Sequence, residues 1–158
     1  MIEFPQTVRK PRKPYYRKSA AVKELERLAN EDARKRHPSI DPKFLCPRTH
    51  KDNSANSLTS SIVKYIELKG GWASRINSTG VFDQRLGKYR TSTMKKGVAD
   101  IMAVYKGLSL HIEVKIGKDQ QSEHQAKVEA DVTRSGGLYH VAKTFEDFYE
   151  WFNKLGNE

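Results

Sequence analysis

The chain has 158 residues, enough for one domain with a buried core and an appendage. Its 29 lysines and arginines against 19 acidic residues give a net charge of +10. No stretch approaches the roughly eighteen consecutive apolar residues of a membrane span, and a single cysteine, Cys46, excludes an internal disulfide.

The lone cysteine fits a reducing cytoplasm, and the first eighteen residues lack the apolar run of a secretory signal. The charge is uneven: residues 1–51 carry 14 basic and 6 acidic side chains, a net +8, whereas residues 52–158 carry 15 and 13, a net +2. A basic extension joined to a nearly neutral core is the simplest reading. Such extensions meet polyanions, because counterion release from phosphates drives the association, although solubility alone also explains them.

In chain order, residues 5–18 (PQTVRKPRKPYYRK) mix three prolines with six basic residues and two tyrosines, so residues 1–18 read as an extended arm. Residues 19–36 predict a helix capped by Ser19 with a sparse stripe of Val22, Leu25 and Leu28–Ala29; with His37 they read as an accessory helix over 19–37. Three prolines mark 38–55 as a linker, and the main domain is expected over 56–158. There Leu58, Ile62, Tyr65 and Ile66 share a helical face that Gly70-Gly71 ends. WASRIN (72–77) predicts a strand, 78–97 a long loop, 98–105 a central strand and 108–116 the next. A helix over 122–135, a strand over 138–142 and a last helix opening at Thr144 complete a mixed α/β core in the order αβββαβα.

Leu110, Ile112, Val114 and Ile116 alternate with His111, Glu113 and Lys115, so a carboxylate and an ammonium share one face of an apolar strand. Asp100 stands in another apolar run, and a tight turn at Gly107 brings it to the face of Glu113. Converging carboxylates repel unless they share a cation or a proton, and Mg²⁺ suits one or two carboxylates, waters and substrate phosphate oxygens. Lys115 is then placed to hold an attacking water or to offset charge growing on a scissile phosphate. Alone, Glu-x-Lys on a strand is an ordinary ion pair; combined with Asp100 and a following polar helix start it is far rarer.

Together, GVADIMAV and LHIEVKIGKDQQSEHQ resemble the PD-(D/E)XK nuclease superfamily, and most closely its VRR-NUC (virus-type replication-repair nuclease) branch, whose fold is like that of Holliday-junction resolvases. The pattern falls on Gly97 with Asp100, Glu113 with Lys115, and Gln125, while Arg75 and Asn77 resemble an Arg-x-Asn strand ahead of it. The resemblance covers about residues 56–142 and implies a restriction-endonuclease-like mixed sheet flanked by helices. It implies Mg²⁺ or Mn²⁺ held by Asp100, Glu113 and the Val114 carbonyl, with Lys115 on the water or phosphate and Gln125 in support. It also implies a branched or duplex DNA substrate, a homodimer as one working state, and a bacterial or phage-infected cell as the setting.

Alternatives stand beside these roles. Ser122-x-x-Gln125 is also a capping box, and Lys115 also neutralises Glu113. The expected first-helix acid is missing: the region reads NSANSLTSS, and Glu67 lies near the far end. This departure supports the competing expectation of a non-catalytic nucleic-acid-binding subunit working beside a helicase, packaging or replication partner. Cys46 and His50 are too few soft ligands for zinc, and no phosphate-cradling Gly-rich loop occurs. Arg85, Lys88, Arg90, Lys95 and Lys96 precede Asp100 and could straddle a phosphate backbone, with Tyr89 able to stack on a base. No base-reading module is recognisable, so shape selectivity rather than sequence specificity is expected, and phosphate chemistry alone does not separate DNA from RNA.

Overall fold

The computed structural model describes residues 15–76, 82–89 and 94–155. In chain order these form α1 (Ala20–Arg36), a 3₁₀ turn (Pro42–Phe44), α2 (Ala55–Leu68), β1 (Trp72–Arg75), a two-residue hairpin of β2 (Phe82–Asp83) and β3 (Lys88–Tyr89), β4 (Ile101–Tyr105), β5 (Leu108–Val114), α3 (Glu123–Arg134), β6 (Leu138–Ala142) and α4 (Phe145–Lys154). Every α-helix opens on a Ser or Thr whose hydroxyl accepts a first-turn N–H, so the starts are set locally: Ser19, Ser54, Ser122 and Thr144. Among the described residues, no helix is long and apolar enough to cross a membrane.

The main sheet runs β1-β4-β5-β6. The first two pairings are antiparallel and β5–β6 is parallel, because α3 carries the chain back across the sheet. The β4–β5 hairpin turns on Lys106 (φ 48°) and Gly107 (φ 79°), two consecutive left-handed residues whose twist suits a two-residue hairpin. That turn fixes the register Ile101↔Ile112 and Met102↔His111.

One sheet face supplies Ala73, Ile101, Ala103, Leu110, Ile112, Val114 and Ala142 to a core closed by residues of α1, α2 and α4. Tyr65 stands at its centre, fully buried, with Phe145 and Phe148 edge-on at 5.7 and 6.2 Å. Its hydroxyl donates to Asn153 Oδ1 at 3.0 Å, so the core's largest polar group is satisfied. The other face carries Met102, His111, Glu113 and Tyr139, the positions that alternate with the core, and lies on the side of α3.

Sequence periodicity sets α1 apart as accessory, yet Ala21, Val22 and Leu25 belong to the central core. The stripe is inconspicuous because much of its buried face is alanine, including Ala29 and Ala33. The expected linker is likewise strapped down. Arg48 N donates to Asn30 Oδ1 at 2.9 Å, His50 N donates to Glu26 Oε1 at 2.7 Å, and Lys51 O accepts from Ser61. Asp52 accepts from the Tyr16 hydroxyl at 2.7 Å and from Phe145 N at 3.1 Å, tying the end of the N-terminal arm to the first turn of α4.

His140 on β6 lies flat against Trp151 of α4, ring centroids 4.5 Å apart, with Nε2 3.4 Å from an Asp147 carboxylate oxygen. Burial lowers its pKa and Asp147 only partly opposes this; burial likewise lowers His50 and His111. With folded pKa values below the unfolded one, the unfolded chain binds more protons, so stability is full above about pH 6.5 and falls as pH drops through that value. Melting temperatures between pH 8 and pH 5 are expected to decline, and His140→Phe, which keeps a ring against Trp151, to make the decline shallower. An unchanged pH slope in that variant would remove His140 from the account.

Candidate active site

Continuing the β4–β5 register one position beyond Ile101↔Ile112 sets Asp100 opposite Glu113. Asp100 itself occupies a bend just before β4 rather than the strand interior that the sequence suggests. The reason is its side chain: Oδ2 accepts the Val114 N–H at 2.9 Å, while its carbonyl accepts Ile76 N at 2.7 Å, extending the sheet by one bond. Strand β5 also ends two residues early, at Val114, although Lys115 N still bonds Ala142 O at 3.0 Å.

Glu113 and Lys115 are 2% and 7% exposed, unusual burial for either residue type. Lys115 Nζ lies 3.2 Å from Glu113 Oε1 and 3.5 Å from Asp119 Oδ2. Gln125 Nε2 donates to the same Glu113 Oε1. The amide oxygen of Gln125 accepts Ser122 N at 2.8 Å and its backbone N–H reaches Ser122 Oγ. The capping box and the site contact are therefore one arrangement: the cap uses the amide oxygen and fixes its nitrogen toward Glu113.

Gly97 makes that meeting possible. Its φ is +83°, and a Cβ there would stand 2.4 Å from the backbone carbon and oxygen of His124 and 2.8 Å from Gln125 N. The segment leading to Asp100 thus lies directly against the first turn of α3, with no room for a side chain.

Burial, then the nearby Asp100 charge, raises the Glu113 pKa, with Lys115 and the approaching Asp100 backbone N–H opposing. Burial pulls the Lys115 ammonium down, but its ion pairs with Glu113 and Asp119 outweigh burial and hold it above its usual range, so it stays charged. The second carboxylate oxygen, Glu113 Oε2, is buried with no hydrogen-bond partner. A buried acceptor left unmade costs about 1–3 kcal/mol, more when charged, so a missing partner is implied.

A hard divalent cation fits this donor set. Asp100 and Glu113 give two carboxylates, Lys115 offsets one of the two charges, and Oε2 is the free ligand atom. Among the described residues no group of three or more His, Cys, Asp or Glu stands together as a metal-ligand cluster. Zinc takes three or four protein ligands, whereas Mg²⁺ or Mn²⁺ takes one or two carboxylates and keeps waters and phosphate oxygens. Cys46 is exposed. Glu67 is exposed and 3.6 Å from Lys64, so α2 adds no acid to the site.

Other expected residues scatter. The Val114 side chain is buried in the opposite face, leaving only its backbone at the site. Arg75 pairs with Ile101, hence shares the α2 face, where it lines a groove with Thr59, Ser60, Val63, Lys64 and Glu67. Arg85, Lys88 and Lys96 are exposed, while Lys95 is bound to Asp131 of α3 at 3.2 Å. Asn77 and Arg90 lie outside the described residues, as does the Tyr89 side chain. Asp119 and Tyr139 join the site unforeseen: Asp119 is four residues past Lys115 in a loop, and Tyr139 meets the site only through the parallel β5–β6 register.

No protein-family model matches the chain, and no curated protein matches it, so the side chains themselves carry the functional argument.

Proposed function

We propose that this chain is a divalent-cation-dependent DNA endonuclease or nickase, hydrolysing phosphodiesters at Asp100, Glu113, Lys115 and Gln125. The observation that carries the reading is the buried, unpartnered Glu113 Oε2 beside Asp100, with Oε1 pinned by Lys115 and Gln125. A structural ion pair would be expected to satisfy both oxygens. The likeness to the VRR-NUC pattern supports the same reading. So does the element order α2-β1-β4-β5-α3-β6, which agrees with a restriction-endonuclease-like core.

Asp100, Glu113 and the Val114 carbonyl would hold Mg²⁺ or Mn²⁺, which when bound neutralises phosphate charge and lowers the pKa of water. Lys115, kept charged by its two carboxylates, is the cation that meets negative charge growing on the phosphate. Gln125 fixes the rotamer of Glu113, the task of an outer-sphere group. Arg85, Lys88 and Lys96 supply exposed positive charge ahead of Asp100 in the chain, and the sequence carries a further net +8 in residues 1–51, a balance that favours the backbone over base edges. A branched or otherwise shape-distinct DNA is the substrate class this favours; RNA is the competitor.

One observation favours a second reading, a nucleic-acid-binding subunit without catalysis: α2 contributes no carboxylate. Labelled duplex, single-stranded, nicked, flap and four-way-junction DNA, each with Mg²⁺, Mn²⁺ or EDTA, separates the two. Cation-dependent cutting supports the nuclease. DNA binding without cutting in any metal supports the subunit.

A further inference from the structure

Glu113 Oε2 is not the only unpartnered buried oxygen on this face. The Tyr139 hydroxyl is also buried with no hydrogen-bond partner. Tyr139 pairs with His111, and Glu113 with Val141, in the parallel β5–β6 ladder. Tyr139 and Glu113 are therefore diagonal neighbours on one face, within reach of a long aromatic side chain. The charges of Glu113, Glu129 and Asp100 all bear on the hydroxyl. With burial the largest cause, its pKa is pushed up to about 12, although Gln121 beside it acts the other way. Gln121 lies next to the hydroxyl and donates its amide nitrogen to Glu129 at 2.8 Å, but no contact between Gln121 and the hydroxyl meets hydrogen-bond geometry. The hydroxyl and Glu113 Oε2 thus belong to diagonal neighbours on one sheet face, one a donor and the other an acceptor, and neither has a hydrogen-bond partner.

Neither leaving both groups unmade nor a random placement explains a polar pair buried this way. Water completes both: it accepts from Tyr139 and donates to a remaining lone pair of Glu113 Oε2, the place of an outer-sphere water beside a divalent cation at the carboxylates. We propose that Tyr139 is a positioning residue of the site, its hydroxyl donating to a water held against Glu113 Oε2. The proposal rests on the cation-dependent reading above. Its substrate consequence is specific: Tyr139 orients water rather than DNA, so its loss lowers turnover and cation affinity without weakening DNA binding.

Tyr139→Phe removes only the hydroxyl. Mn²⁺ affinity is measured by the electron paramagnetic resonance of free Mn²⁺, alongside melting temperature in EDTA and cleavage kinetics. Expected are Mn²⁺ binding weakened by about tenfold, as for other outer-sphere partners, a kcat loss with KM for DNA unchanged, and a melting temperature in EDTA equal to or above wild type. Wild-type Mn²⁺ affinity and wild-type cleavage in the variant would overturn the proposal. A lowered melting temperature in EDTA would also overturn it, because the hydroxyl would then be bonded structurally. If wild type itself neither binds Mn²⁺ nor cuts DNA, the cation-dependent reading fails first, and this proposal falls with it.

Discussion

Glu113→Gln is expected to abolish the proposed cleavage while the fold survives. The amide keeps the shape and the contact to Lys115 or Gln125 but removes the charge that a divalent cation needs, so a loss of about 10³-fold or more in kcat is expected. Without metal, the variant relieves the repulsion with Asp100 and the cost of burying a carboxylate, while Lys115 keeps Asp119 as a carboxylate partner, so the opposing effects should leave the melting temperature in EDTA little changed. Lys115→Met behaves differently. It loses cleavage too, yet it strips Glu113 of its only cationic neighbour among the described residues and leaves a buried carboxylate uncompensated, a loss of roughly 3–5 kcal/mol. Kinetics paired with chemical denaturation separates the two. Full activity in Glu113→Gln would remove the carboxylate from the reaction.

Gly97→Ala is the second large effect, and it acts from outside the chemistry. A methyl group at Gly97 meets main-chain atoms of His124 and Gln125, which cannot rotate away as a side chain would. The left-handed backbone adds about 1–2 kcal/mol for a residue with a Cβ. Main-chain displacement should bring the total to at least ~3 kcal/mol. Because the clash pushes α3 from the Asp100 segment, Gln125 is drawn off Glu113 and activity falls with stability. Gly136→Ala is the natural comparison: also left-handed, with nothing within 4 Å of the added carbon, it should cost only the conformational part. Equal losses in the two variants would mean that close approach at Gly97 is not what holds the site.

The site was legible in the sequence where local periodicity determines direction. Alternation along one strand is enough to put Glu113 and Lys115 on one side, and the Lys106-Gly107 turn carries Asp100 to the same end. For Gln125 the sequence offered a capping box and a supporting role in catalysis; the geometry shows the cap, and the other end of the same amide contacts Glu113. What stayed hidden depends on long-range register. Arg75 stands on the strand ahead of the expected motif, but its pairing with Ile101 turns it to the α2 face. Tyr139 reaches the site only because β6 lies parallel beside β5, a pairing made across a whole helix. The place of α1 in the core was obscured by alanine, which buries well but leaves little periodic signal. Asp100 sits in a bend because its side chain takes a backbone N–H fourteen residues away, a bond no local pattern announces.

The central claim is that Asp100 and Glu113 share a divalent cation. Anomalous diffraction from crystals soaked in Mn²⁺ tests it most directly. One anomalous peak is predicted between these two carboxylates, on the Oε2 side of Glu113, and absent from Glu113→Gln crystals. Soaked wild-type crystals with no peak there, in protein that still cuts DNA, would contradict the account.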